Sequence, residues 1–129
     1  MPIGTVFLGT EILLLEDEPL VNLNTSDMIE RMGCTVRSFF DLSSAWASAR
    51  DLLPDVAILD INLHGETSYE FADWLSEKNV GLLFLTGYDS PDVESRWRDH
   101  LVCRKPCPPE ELKASLVRVL AVRRPTIQL

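Results

Sequence analysis

Basic residues are scarce in this chain: 12 lysines and arginines stand against 20 aspartates and glutamates, for a formal net charge of −8. A balance of that sign repels phosphate backbones and anionic lipid heads, so direct nucleic-acid binding is not expected. No apolar run approaches the ~18 residues that a membrane span requires. The opening MPIGTVFLGT has neither the basic stretch nor the apolar core of a secretory signal. Cysteine is limited to Cys34, Cys103 and Cys107, an odd number that points to reduced thiols in a cytoplasmic protein and not to a disulfide framework. Cys103 and Cys107 bracket the cationic run Arg104-Lys105-Pro106, and no further Cys or His stands close by, so a zinc site is not expected there. The only histidines, His64 and His100, read as loop or surface residues. Internal repeats, low-complexity tracts and linkers are also missing.

What is present fits one domain: 129 residues, 46% hydrophobic and 25% charged. A chain of this length buries about two thirds of its extended surface, enough for one core without staples. Strand and helix patterns alternate. The apolar run 12–15 stops at Glu16-Asp17-Glu18-Pro19, and Pro19 suits the first turn of a helix reaching about residue 32, with Val21, Met28, Ile29 and Met32 at helical spacing. Gly33 suits its stop. Residues 34–40 suit a second strand. The next helix, over 42–53, places Ala45, Trp46, Ala49, Leu52 and Leu53 on one face and ends before Pro54. Residues 55–60 form a third strand, and 68–78 a helix with Phe71, Ala72 and Leu75 inward. A fourth strand at 81–85, a short helix over 91–99, a fifth strand at 101–104 and a helix over 108–122 with Leu112, Leu116, Val119 and Leu120 inward complete the pattern. Trp46 and Trp74 read as packing residues, whereas Trp97, among Arg96, Arg98 and Asp99, is a candidate docking residue.

Strands that are apolar on both faces and separated by amphipathic helices imply an α/β fold: a doubly wound five-stranded parallel sheet, flavodoxin-like order 2-1-3-4-5, with helices on both faces. The functional crevice of such a sheet lies at the carboxyl ends of its strands. Those ends carry Glu16 and Asp17, Asp60, Thr86 and Lys105. Three carboxylates on one rim repel one another and call for a cation. Mg²⁺, a hard ion that keeps several waters, would be satisfied by Asp17, Asp60 and the backbone carbonyl of Asn62. Lys105 adds a compact positive charge and Thr86 a hydroxyl, both suited to the oxygens of a phosphoryl group, with Asp60 as the central carboxylate nucleophile. Gly87 leaves room for a donor approaching Asp60. Taken singly, each residue has a plainer role: Asp17 as a helix cap, Asp60 as a turn residue, Lys105 as a solvated cation, Thr86 as a strand threonine. It is their joint occurrence that points to phosphoryl chemistry.

Four stretches, Ile-Leu-Leu-Leu-Glu16-Asp17-Glu18-Pro19, Val-Ala-Ile-Leu-Asp60-Ile-Asn-Leu-His-Gly65, Leu-Phe-Leu-Thr86-Gly87 and Arg104-Lys105-Pro106, resemble the receiver domain of two-component response regulators. The resemblance covers residues 10–122 and leaves 1–9 and 123–129 as terminal extensions. It implies that Asp60 is the phosphoacceptor, that Glu16 and Asp17 are the acidic pair around Mg²⁺, that Thr86 is the switch hydroxyl and that Lys105 senses the phosphate. It further implies a cis Lys105-Pro106 bond. Val102 stands where the family usually has an aromatic switch residue, and the segment from Thr86 to Lys105 is shorter than in most members. Together with Phe84-Leu-Thr86-Gly87-Tyr88, these features are similar to a stand-alone α-proteobacterial subgroup marked by a Phe-Ala-Thr-Gly signature. The partners implied are a sensor histidine kinase or histidine phosphotransferase, and a downstream protein docked near the fourth helix, fifth strand and fifth helix. Such a chain is a signalling protein, catalysing only its own phosphorylation and dephosphorylation. Two alternatives stand beside this reading: a pseudo-receiver that binds partners without phosphorylation, and a receiver excised from a hybrid kinase.

Overall fold

An unbroken apolar run such as 12–15 is satisfied in a strand only when both faces of its sheet are covered, because alternate side chains point to opposite sides. The computed structural model, which describes residues 7–87 and 101–123, has that arrangement. Along the chain its elements are β1 (Glu11–Leu15), α1 (Pro19–Arg31), β2 (Thr35–Phe39), α2 (Leu42–Asp51), β3 (Val56–Asp60), β4 (Asn62–Leu63), β5 (Glu66–Thr67), α3 (Tyr69–Glu77), β6 (Gly81–Thr86), β7 (Leu101–Arg104) and α4 (Pro109–Arg123). Five strands form one sheet in the order β2-β1-β3-β6-β7, and every pairing in it is parallel. Counted by its own members, that is the expected doubly wound order 2-1-3-4-5. The turnover of strand order falls between β1 and β3.

The period-two alternation sorts the core into two layers. Leu13, Leu15, Ala57, Leu59, Leu82 and Phe84 join Ala45 and Ala49 of α2 and Phe71, Ala72 and Leu75 of α3. Ile12, Leu14, Val56, Ile58, Leu83 and Leu85 join Ile29 of α1 and Leu112, Leu116 and Val119 of α4. Each fully buried Leu, Ile or Phe stabilises the fold by roughly 1.5–3 kcal/mol relative to leaving it in water. Trp46 and Trp74 pack at the edge of the first layer, with ring centroids 5.2 Å apart and Trp46 4.8 Å from Phe71. Phe7, which the sequence leaves in the extension before residue 10, is fully buried in the second layer.

Two sequence expectations change. Leu52 and Leu53 are exposed and do not share the inward face of α2. The helix ends at Asp51 and Leu52 is extended (φ −149°, ψ 117°), because a residue preceding Pro54 is steered out of the helical region and the turn begins one step earlier. Immediately beyond Asp60, β4 and β5 form a two-residue antiparallel hairpin not foreseen as strands. Its corner is His64-Gly65, both with positive φ (47° and 89°), the backbone signature of a type I′ turn. The helix expected over 91–99, together with Tyr88, Trp97 and His100, lies outside the described residues.

Candidate functional site

Register alone assembles the rim. Leu15 pairs with Leu59, Asp60 with Leu85 and Thr86 with Arg104. One further step along β1 and β7 therefore sets Glu16 beside Asp60, and Lys105 just past Thr86. The backbone N–H of Lys105 donates to the Thr86 carbonyl at 2.8 Å. The Lys105-Pro106 bond is cis, as the resemblance implies.

Glu16 is fully buried, and an unpaired carboxylate there would cost several kcal/mol. Its Oε2 accepts from the Glu18 N–H at 3.0 Å, and the Lys105 ammonium stands 2.8 Å from Oε1 as an ion pair. Among the described residues, Oε1 receives no hydrogen bond beyond this ion pair. Lys105 also donates to Asp60 Oδ2 at 3.1 Å and lies 3.7 Å from Glu18. The Asp60 side chain is only 7% exposed. Burial first, and the Glu16 charge second, push its carboxyl up to about 7, against the pull of Lys105. Burial works to lower the Lys105 ammonium, but its contacts with Glu16 and Asp60 hold it above its ordinary value.

Asp17 is not a helix cap: the N-cap of α1 is Glu18, and no side chain caps that end. The Asp17 carboxylate instead lies 3.2 Å from His64 Nε2, and it offers an oxygen to a cluster with Glu16 and Asp60 in which the candidate ligand atoms all lie within 4.8 Å of one another. A hard divalent cation fits this set. The donors are all oxygens, their charges repel, and Glu16 Oε1 is a buried acceptor with spare capacity. Asn62 follows in β4, paired with Thr67, so the hairpin fixes the backbone that carries its carbonyl. Thr86 is buried at the end of β6, and its hydroxyl donates to the Gly87 carbonyl at a long 3.3 Å. Among the described residues, a Cβ at Gly87 would meet no atom within 4 Å, so their packing does not require glycine there.

Two supporting residues were not singled out from the sequence. Asn22 is buried on α1 and its Nδ2 donates to the carbonyls of Glu16 (3.0 Å) and Phe39 (3.1 Å), tying the ends of β1 and β2 to the helix. A polar residue in the inward sector of an amphipathic helix was the available signal. Ser68, fully buried just before α3, donates from Oγ to the Asp60 carbonyl at 2.7 Å. Beside Lys105 and Gly87 opens a groove of about 570 Å³, walled by Leu20, Val21 and Met28 of α1 and by Pro106. Among the described residues, no helix is long and apolar enough to cross a membrane.

Comparison with known proteins agrees with this fold. The solution structure of SdrG from Sphingomonas melonis Fr1 is 34% identical, with a TM-score of 0.78, over 86% of this chain and 96% of that one. The Erythrobacter litoralis PhyR response regulator REC domain shares the fold at TM-score 0.78 and 18% identity, over 98% of this chain and 100% of that one. The probable transcriptional regulatory protein TcrX of Mycobacterium tuberculosis is 34% identical over 87 residues. That match takes in 66% of this chain but only 36% of TcrX, so the chain spans little more than a third of that relative. The family model described as the response regulator receiver domain matches residues 12–117. With its parallel sheet, its acidic rim and its lysine all in register, the chain belongs to the response-regulator receiver-domain family.

Proposed function

We propose that Asp60 accepts a phosphoryl group from the phosphohistidine of a sensor kinase or a histidine phosphotransferase, and that the modified domain signals by protein contact. The observation that carries this reading is the Asp60 carboxylate, buried at an open rim and held 3.1 Å from the Lys105 ammonium. In the transfer, a carboxylate oxygen of Asp60 forms a bond to phosphorus as the phosphorus–nitrogen bond to the donor imidazole breaks. The bonding pair leaves with the imidazole, which takes up a proton.

Asp17, Asp60, Glu16 and the Asn62 carbonyl would hold Mg²⁺, which when bound neutralises charge on the carboxylates and the phosphoryl oxygens. Lys105 stabilises the anionic oxygens of the transferring group and, already poised between Glu16 and Asp60, needs only a small shift to do so. Thr86 exchanges its long bond to Gly87 for a phosphoryl oxygen. Asn22 and Ser68 hold the backbone behind Glu16 and Asp60 in place. The groove between α1 and Pro106 gives the donor an approach to the rim. Catalysis on this reading is confined to the chain's own phosphorylation and dephosphorylation.

For output, Val102 of β7 and Val117 of α4 are exposed apolar residues on the region expected to meet a downstream partner. Val102 at the usual aromatic position supports a second reading, a pseudo-receiver that binds partners without phosphorylation. Incubation with a labelled, autophosphorylated histidine kinase separates the two. Label moving to the wild-type chain, but not after Asp60→Asn or with the divalent ion chelated, supports phosphotransfer. An unlabelled chain that still binds the kinase partner supports the pseudo-receiver.

A further inference from the structure

Cys103, Cys107, Glu111 and Ser115 are spaced by four. Glu111 and Ser115 therefore stand on successive turns of one face of α4, while Cys103 lies in β7 and Cys107 in the loop between them. The fold closes this series on itself. Cys103 Sγ is 3.3 Å from Ser115 Oγ, and the sulfurs of Cys103 and Cys107 and a Glu111 carboxylate oxygen all lie within 4.8 Å of one another. Cys103 is buried, Cys107 half-buried and Glu111 exposed, so the cluster has a floor of sulfur and a mouth open to solvent. The sequence alone showed only a pair of cysteines without a further Cys or His. The third donor is a carboxylate supplied by the next helix.

We propose that Cys103, Cys107 and Glu111 form a binding site for one thiophilic divalent cation of the zinc type, with water completing a tetrahedron. In tetrahedral geometry, metal–sulfur distances of about 2.3 Å and metal–oxygen distances of about 2.0 Å place the sulfurs about 3.8 Å apart and sulfur and oxygen about 3.5 Å apart. The observed cluster meets this with a contraction of at most about 1.3 Å. Two thiolates select a softer ion than the all-oxygen rim at Glu16, Asp17 and Asp60, so the two sites sort cations by hardness. Binding releases two protons, one from each thiol, and the resulting triple negative charge faces a dication. Lys105 lies midway between the two sulfur ligands in sequence. An ion there ties the end of β7, the Lys105 loop and the first turn of α4 together, and it does so whether or not Asp60 is phosphorylated.

Cobalt(II) is the probe that tests this. The protein is reduced with a phosphine, freed of metal and titrated with Co²⁺ while the near-ultraviolet and visible spectra are recorded. The expected result is one equivalent per chain, with an intense thiolate-to-cobalt charge-transfer band and tetrahedral visible bands, both displaced by stoichiometric Zn²⁺. Asp60→Asn leaves these bands intact. Cys107→Ser, which leaves a single thiolate ligand, weakens the charge-transfer band and lowers affinity by more than about 100-fold, beyond the loss of an outer-shell partner. Glu111→Gln, an exposed position where misfolding is not an issue, keeps the band and weakens binding by about tenfold. Cobalt uptake without a charge-transfer band, or a band unchanged in folded Cys107→Ser, overturns the proposal. So does a fully reduced, folded protein that takes up no cobalt.

Discussion

Replacing Asp60 by asparagine is expected to stabilise the metal-free protein at neutral and alkaline pH. The Asp60 carboxyl titrates at 3.8 when exposed but is pushed up to about 7 in the fold, chiefly by burial and by Glu16. Between those values the native state holds a proton that the unfolded chain has released. The stabilising contribution of this group is therefore full below about pH 4 and is lost as pH rises through about 7. A rise from 3.8 to about 7, at ~1.36 kcal/mol per pH unit, corresponds to about 4 kcal/mol, which solvent at the rim reduces to about 2 kcal/mol. Asparagine has nearly the same shape and no charge, and Lys105 keeps its ion pair with Glu16. For a chain of this length, about 2 kcal/mol raises Tm by about 7 °C. Thermal melts of wild type and Asp60→Asn with a chelator present should thus separate by that amount at about pH 8 and converge towards about pH 4. A variant that melts below wild type at about pH 8, or a gap that does not change with pH, would refute the placement of Asp60 as a charge-strained carboxylate.

Mg²⁺ should reverse the order. At a hundredfold excess over its dissociation constant it stabilises wild type by about 2.7 kcal/mol and Asp60→Asn by much less, read as the shift in Tm. Lys105→Met leaves Glu16 and Asp60 facing each other without a cation, and should cost about 3–5 kcal/mol at neutral pH in urea unfolding, with part recovered on adding Mg²⁺. Asn22→Ala removes two hydrogen bonds that bind the ends of β1 and β2, and should cost about 2 kcal/mol by urea unfolding while leaving the metal affinity of the rim within about threefold. Leu116→Ala, at a fully buried position of α4, should cost 2–5 kcal/mol, and a smaller loss would contradict the two-layer core.

The sheet and the rim were legible because both depend on strand ends and alternation. Ile12 to Leu15 and Leu82 to Leu85 are apolar without a break, the pattern of strands in a parallel sheet covered on both faces. Once the strand order is known, register brings Glu16, Asp60, Thr86 and Lys105 together. The β4–β5 hairpin was not legible, since two-residue strands are too short to show a period and its turn rests on the single cue of His64-Gly65. Leu52 and Leu53 misled because helical spacing says nothing about where a helix stops. The partners of Asn22 and Ser68 are carbonyls distant in sequence, Phe39 in one case and Asp60 in the other, so a polar residue on the inward face of α1 could flag Asn22 as buried but no local pattern names what either residue bonds to. Glu111 was missed for a related reason: its partnership with Cys103 and Cys107 exists only once α4 packs against β7.

The central claim is that Asp60 is a phosphoryl acceptor. Intact-mass measurement after incubation with Mg²⁺ and acetyl phosphate, beside the Asp60→Asn variant, tests it most directly. The account predicts one phosphoryl mass added to wild type, none to the variant and none when the divalent ion is chelated. A folded, Mg²⁺-loaded wild type that gains no mass, or a variant that gains as much, would contradict it.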